Sequence, residues 1–243
     1  MEICNPYTTF SAYYDSILSH VNHERWKNFI LSEFIAQKSR NPAQIIDLGC
    51  GTGSLLSEFG ELHAEKIGLD ISEEMLEVAR RNHPGMNFIQ GNLLDFSLET
   101  KTELLLCTHD TINYLTNLKD LEEHFKCAKS NLASGGLYFF DVTSEYNLLE
   151  NFHDKTMEDH LPNGRVKWTN KYMPKKGIIK SELEFITKGK IVKEIHVQKY
   201  FPPIEVSRLL EKTGFQILKM GSDYKKWKLE ETACLVNFLA MNK

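Results

Sequence analysis

One segment constrains this chain more than any other. Asp47-Leu48-Gly49-Cys50-Gly51-Thr52-Gly53 follows an apolar run, Gln44 to Leu48, and leads into a short helical pattern, Ser54 to Phe59, closed by Gly60. Alternate glycines at a strand-to-helix turn let the backbone approach a ligand with no side chain in the way. The next apolar run, Lys66-Ile67-Gly68-Leu69-Asp70, ends on an acidic residue. A carboxylate at the tip of a second strand can accept both hydrogen bonds of a ribose diol, so the pair suits an adenosine. The spacing is G-x-G-x-G, whereas the dinucleotide fingerprint is G-x-G-x-x-G, whose third glycine permits close packing above a pyrophosphate. A nicotinamide or flavin enzyme is thereby demoted.

The rest of the chain alternates short apolar runs with helical patterns. A helix is predicted over residues 11–38, where Ile17, Leu18, Val21, Trp26, Phe29, Ile30 and Phe34 recur at near-helical spacing before Asn41-Pro42. Ser72 caps a helix whose first turn carries Glu73 and Glu74. Further strands are predicted over Asn87–Gly91, Glu103–His109 and Leu137–Val142, with a helix over Leu118–Leu132. This order demands a parallel sheet covered on both faces. From Tyr146 the pattern changes: Val166–Tyr172, Ile178–Thr187 and Ile191–Tyr200 alternate, separated by Pro174-Lys175-Lys176-Gly177 and Lys188-Gly189-Lys190, which is turn chemistry. The core pattern resumes with a helix over Pro203–Thr213 and strands over Phe215–Met220 and Ala233–Leu239. The expected fold is α/β: a doubly wound, mostly parallel seven-stranded sheet with an inserted small antiparallel β-sheet lid. Residues 1–145 and 201–243 would form the core, and residues 146–200 the lid, an acceptor domain.

These motifs resemble the class I methyltransferases, the seven-stranded S-adenosylmethionine enzymes, and especially small stand-alone members with an inserted antiparallel sheet. The likeness runs from Tyr7-x-x-Phe10-x-x-Tyr13-Tyr14-Asp15 through the glycine motif and Gly68-Leu69-Asp70-Ile71-Ser72-x-x-Met75-Leu76 to Leu210-x-x-x-Gly214-Phe215. The resemblance implies that Asp47, Gly49, Gly51 and Gly53 belong to the donor site, with the three glycines along its methionine part. It implies that Asp70 binds the ribose and Ile71 stacks on the adenine. The family has aspartate after the third strand; here Gln90-Gly91-Asn92-Leu93 places Asn92 there, leaving the Leu93 amide to meet the adenine ring. Tyr14 would reach the donor's methionine carboxylate, and the run from Thr108 would offer a backbone carbonyl to its amino group. At the end of the fourth strand His109 and Asp110 are the candidate catalytic pair, His109 as a base near neutral pH and Asp110 as a partner for a cationic amine or the sulfonium. Methyl transfer from a sulfonium needs alignment and charge complementarity but no metal. His20-x-x-His23 makes no convincing ligand set.

Composition narrows the partners. A formal charge of −4 without a lysine/arginine-dense block gives no footprint for wrapping a nucleic acid. No stretch approaches eighteen apolar residues, and the start lacks a basic segment followed by an apolar one, so a cytoplasmic protein with no membrane partner is expected. Five scattered cysteines with no C-x-x-C pair read as free thiols. The expected function is methyl transfer from S-adenosylmethionine to a small-molecule acceptor. The alternatives are an RNA or protein methyltransferase, marked by a basic patch at Lys175, Lys176, Lys188, Lys190 and Lys193, or a non-catalytic S-adenosylmethionine-binding protein. Neither the acceptor nor a choice between monomer and dimer has a signature in the sequence.

Overall fold

The computed structural model describes residues 2–243, which two sheets organise. In chain order the strands are β1 (Glu2–Cys4), β2 (Gln44–Leu48), β3 (Glu65–Asp70), β4 (Asn87–Gln90), β5 (Thr102–Cys107), β6 (Leu132–Thr143), β7 (Thr156–Leu161), β8 (Gly164–Met173), β9 (Ile178–Thr187), β10 (Lys190–Lys199), β11 (Phe215–Ser222) and β12 (Leu235–Asn242). The helices are α1 (Tyr14–Ile17), α2 (His23–Lys38), α3 (Ser54–Glu58), α4 (Glu73–Asn82), α5 (Leu118–Asn131), α6 (Glu145–Asn147) and α7 (Pro203–Lys212).

The larger sheet has the order β11-β12-β6-β5-β2-β3-β4, with β2 to β6 parallel and β12 antiparallel to both neighbours. It is the doubly wound, mostly parallel seven-stranded sheet expected. Successive strand residues feed opposite apolar layers. Ile46, Leu48, Leu105, Tyr138 and Phe140 join Leu121, Phe125, Val206 and Leu210 of α5 and α7, while Ile45, Leu104, Leu106, Leu137 and Phe139 join Ile30, Phe34, Leu56 and Leu76 of α2, α3 and α4. Cover on both faces is why these strands read as unbroken apolar runs. From β2 the chain winds outward to β3 and β4, then returns to β5 on the other side of β2. The ends of β2 and β5 therefore flank the topological switch point, where diverging loops leave a crevice.

Three elements differ from the sequence reading. The helix over 11–38 is broken: a 3-10 turn at Phe10–Ala12 and the short α1 come first, and α2 starts at His23 because Asn22 Oδ1 accepts the Arg25 amide at 2.8 Å. The strand expected at Leu137 begins at Leu132, which is fully buried opposite Thr102, and a register shift against β5 takes up Gly135-Gly136. The smaller sheet has five strands, ordered β1-β10-β9-β8-β7, with β1 parallel to β10 and the other pairs antiparallel. β7 was not anticipated because all its residues but Leu161 are exposed, so it carries no alternation. β1 lies in sequence within the segment assigned to the core, yet it pairs with β10.

β9 does show the period of two: Ile179, Ser181, Leu183 and Phe185 are buried and the residues between them are not. Leu161, Val166, Leu183 and Phe185 close around Phe10, a buried aromatic plug that docks the N-terminal segment on this sheet beside the β1 pairing.

Candidate active site

A cavity of about 580 Å³ opens at the carboxyl ends of β2 and β5. Tyr14, Asp47, Gly49, Gly51, Asp70, Ile71, Asn92, Leu93, Thr108 and His109 all line it, so most residues nominated from sequence meet at one place. Gly53 and Asp110 are not part of its wall.

The loop after β2 turns its amides inward. Gly49 and Cys50 donate to the Leu69 carbonyl at 2.7 and 3.0 Å, Gly51 to Asp70 Oδ2 at 2.8 Å, and Gly53 to the Cys50 carbonyl at 2.9 Å. With these amides engaged they make no nest for a phosphate, which supports the exclusion of a dinucleotide. The three glycines also differ. A Cβ on Gly49 would fall 2.3 Å from Thr111 Cγ2, and one on Gly53 would fall 2.8 Å from Phe88 Cζ, so both are there for packing. One on Gly51 would meet nothing closer than 3.8 Å, and this is the glycine that leaves the wall bare. Gly53, expected beside the ligand, instead packs on Phe88 at the start of α3.

Asp70 Oδ1 accepts the Ser72 amide at 2.9 Å, and Oδ2 accepts that of Gly51. Burial holds this carboxyl above its ordinary range, and the Ser72, Gly51 and Ile71 amides pull it back. Each oxygen keeps a lone pair for a ligand. Beside it the Ile71 side chain is 64% exposed, a large apolar surface at the cavity wall. Asn92 Oδ1 accepts the Leu94 amide at 3.0 Å, so this side chain caps the segment that follows it. The Leu93 carbonyl accepts from His124 Nδ1 at 3.0 Å.

Asp47 and Asp70 belong to the cavity lining, and Asp110 and Asp141 stand close by, outside it. Asp47 is 2% exposed, and its Oδ1 has no hydrogen-bond partner. Burial, then the charges of Asp70 and Asp141, push its carboxyl up to about 7. Asp110 is pushed up to about 7 by burial and by Asp141. Burial raises Asp141 to about 6 against the pull of the Tyr224 hydroxyl and the Asp110 and His109 amides. Four carboxyl groups thus share one water-poor region, an arrangement that favours a cation and repels an anion. Asp141 also has a mechanical role. It accepts the His109 amide at 2.8 Å, the Asp110 amide at 2.5 Å and the Tyr224 hydroxyl at 2.6 Å. Those bonds hold His109 and Asp110 at φ of 59° and 49°, left-handed backbone that non-glycine residues rarely adopt.

The Tyr14 hydroxyl lies 3.2 Å from His109 Nδ1, and Trp26 meets the ring edge-on at 5.5 Å. Burial lowers His109 to about 4, with His23 and His20 adding to the effect. A proton acceptor that weak does not fit the expected base near neutral pH; the neutral ring is placed to orient Tyr14. The Thr108 carbonyl accepts the Thr111 hydroxyl at 2.7 Å, so it is already partly engaged. Among the described residues no group of three His, Cys, Asp or Glu side chains is arranged to hold a metal ion.

Sequence reasoning gave no place to Glu194, which lies behind Tyr7 and Tyr114 of the cavity wall. The signal was available in β10, where Glu194 and His196 occupy successive inward positions of an alternating strand and are both buried.

Comparison with known proteins agrees with this geometry. A family model described as a methyltransferase domain matches residues 45–136, from β2 into β6. YqeM of Bacillus subtilis (strain 168), whose name marks it as a methyltransferase by inference, is 28% identical over 226 residues, 90% of each chain. A dTDP-3-amino-3,4,6-trideoxy-alpha-D-glucopyranose N,N-dimethyltransferase of Streptomyces venezuelae is 26% identical over 107 residues, 44% of this chain and 45% of that one. A crystal structure of an S-adenosylmethionine-dependent methyltransferase from Clostridium acetobutylicum superposes with a TM-score of 0.85 at 22% identity, covering 97% of this chain and 98% of the other. At that identity the likeness speaks for the fold.

Proposed function

We propose that this chain, a class I S-adenosylmethionine-dependent methyltransferase, methylates an amine of a small molecule held between the cavity and the smaller sheet. The observation that carries the choice is the carboxyl pair Asp47 and Asp70 in the cavity lining, with Asp110 and Asp141 close by and Oδ1 of Asp47 buried and unpartnered. A cationic donor and an acceptor that arrives as an ammonium both complement that charge. The amino-sugar dimethyltransferase among the relatives acts on such a group. The bound donor supplies a methyl group already activated on a sulfonium.

The chain's own residues position the reactants. Asp70 takes the ribose hydroxyls, Ile71 covers one adenine face, and the Leu93 amide meets the ring edge. Asp47 and the field of Asp110 and Asp141 favour the positive charges, and Tyr14, oriented by His109, meets the methionine carboxylate. Residues 146–200 act as a lid that sets the acceptor's angle of approach, and alignment of this kind is the larger part of catalysis for an activated electrophile.

A polymeric acceptor fits less well. The Lys175-Lys176 turn and the Lys188-Lys190 turn lie at opposite ends of the ten-residue β9, about 30 Å apart at ~3.3 Å per residue, and Lys193 is paired with Glu182. They form no single basic patch. Methyl-labelled donor should be incubated with the protein and amino-sugar nucleotides, simple amines, phenols, transfer RNA and basic peptides. Label is expected in the amines; label in RNA or peptide would overturn the reading. Donor binding with no transfer to any acceptor would favour a non-catalytic binding protein.

A further inference from the structure

From the cavity wall a line of four polar side chains runs from the N-terminal segment and the 3-10 turn at Thr111–Tyr114 into β10 of the smaller sheet. The Tyr7 hydroxyl is 2.6 Å from that of Tyr114, Tyr114 is 2.9 Å from His196 Nδ1, and His196 Nε2 is 3.1 Å from Glu194 Oε2. Tyr7 and Tyr114 line the cavity, whereas His196 is 5% exposed and Glu194 is fully buried. Donor and acceptor capacities fix the direction of the bonds. Glu194 already accepts the Tyr7, Thr9 and Phe10 amides, so Nε2 of His196 is the donor to it. In a neutral ring Nδ1 is then an acceptor, Tyr114 donates to it, and the Tyr114 oxygen accepts from Tyr7. The line ends at the cavity on a Tyr7 oxygen with a free lone pair. The titratable groups facing the two tyrosines are Asp110 for both, Tyr14 for Tyr7, and Glu194 and Asp70 for Tyr114.

We infer that Tyr7, Tyr114, His196 and Glu194 form a proton exit for the acceptor. The inference rests on the amine reading above, and it supplies what that reading lacks. An acidic cavity holds an amine as its ammonium, whose lone pair is not free to attack. The ammonium proton passes to the Tyr7 oxygen, the Tyr7 proton to Tyr114, and the Tyr114 proton to His196 Nδ1, leaving an imidazolium beside the Glu194 carboxylate. The freed nitrogen lone pair then forms the new N–C bond as the S–C bond breaks, and sulfur keeps that bond's electron pair. This is the arrangement of a histidine oriented by a carboxylate, with tyrosines in front of it.

The test uses Tyr114→Phe, with Tyr7→Phe as a second variant, since both keep the ring and its packing. Single-turnover transfer from methyl-labelled donor to a dTDP-amino sugar should fall at least about 30-fold at pH 7. The loss should shrink towards parity by pH 9.5, where bulk water deprotonates the amine, while donor affinity stays within about threefold. A loss independent of pH, or no loss, would overturn the relay. Nitrogen-15 chemical shifts of His196 test it without turnover. With S-adenosylhomocysteine bound at pH 7, the ring should carry one proton, on Nε2, in the parent protein. An imidazolium in that complex leaves the proton nowhere to go and overturns the exit even if no acceptor is found. The correct tautomer together with no amine turnover would overturn the amine reading instead.

Discussion

The two sides of the cavity are built on different principles. On the donor side the core of the site sits at the β2 and β3 ends, where the glycine-loop amides and Asp70 satisfy one another locally. On the acceptor side the wall depends on residues distant in sequence: the Tyr7 amide reaches Glu194 across 187 positions at 2.8 Å. A local motif can hold a constant ligand. A long-range seam between two sheets can change its lining while the donor site stays the same.

Cutting that seam should give the largest effect. Glu194→Ala leaves the Tyr7, Thr9 and Phe10 amides and His196 without their acceptor, at a cost of about 3–5 kcal/mol for a buried charged hydrogen-bonding centre. Calorimetric melting should drop by roughly 10 °C, taking about 2–4 °C per kcal/mol. A drop of only a degree or two would show that Phe10, Tyr13 and the pairing of β1 with β10 hold the N-terminal segment without Glu194.

The donor side breaks differently. Asp70→Ala should weaken S-adenosylmethionine binding by about 2–4 kcal/mol, the loss of two charge-assisted bonds at a partly buried site. Titration calorimetry measures it. Binding within threefold of the parent would remove Asp70 from the ribose.

Protonation sharpens the contrast, because the raised carboxyls belong to the switch point. A carboxyl raised to about 7 in the folded state, as at Asp47, stabilises the protein fully below its unfolded value near ~3.9, and that stability is lost as pH rises through 7. His109, lowered to about 4, acts in the opposite sense: its contribution is present above ~6.5 and is lost as pH falls through 4. Comparing Asp47→Asn with the parent cancels the histidine part. Without ligand the variant should gain melting temperature relative to the parent as pH goes from 5 to 8. In the parent, S-adenosylmethionine should bind more tightly over the same range, by up to about tenfold per pH unit below 7, with a flatter response in the variant. Parallel curves for the two proteins would take Asp47 out of the charge balance.

The smallest effect is expected at Asn92. Asn92→Ala removes the bond to the Leu94 amide and should cost about 0.5–1 kcal/mol, while Asn92→Asp keeps a capping oxygen and changes stability little. Melting curves read both. A tenfold gain in donor affinity for Asn92→Asp would show that the side chain faces the adenine.

This asymmetry also explains what the sequence could tell. The β2 loop, Asp70 and Ile71 were legible as positions at one cavity, because the strand ends and the turn between them follow from neighbours in the chain. Gly53 misled because a glycine needed to pass Phe88 reads the same as one needed beside a ligand. His109 was found as a position, but its weakness as a base comes from burial, with Trp26 against its ring, and from His23 and His20, which approach it from distant parts of the fold. β7 was illegible because five of its six residues are exposed, and β1 because three residues cannot show a period. Glu194 could have been noticed as a charge in the inward phase of β10, but nothing local says what it holds.

The most direct measurement is a crystal structure with S-adenosylhomocysteine. The ribose hydroxyls should lie within about 3.2 Å of both Asp70 oxygens, with the adenine over Ile71 and the sulfur facing Tyr7 and Tyr114. Product bound with its ribose away from Asp70, or its sulfur turned from the two tyrosines, would contradict a cavity divided into a local donor side and a long-range acceptor side.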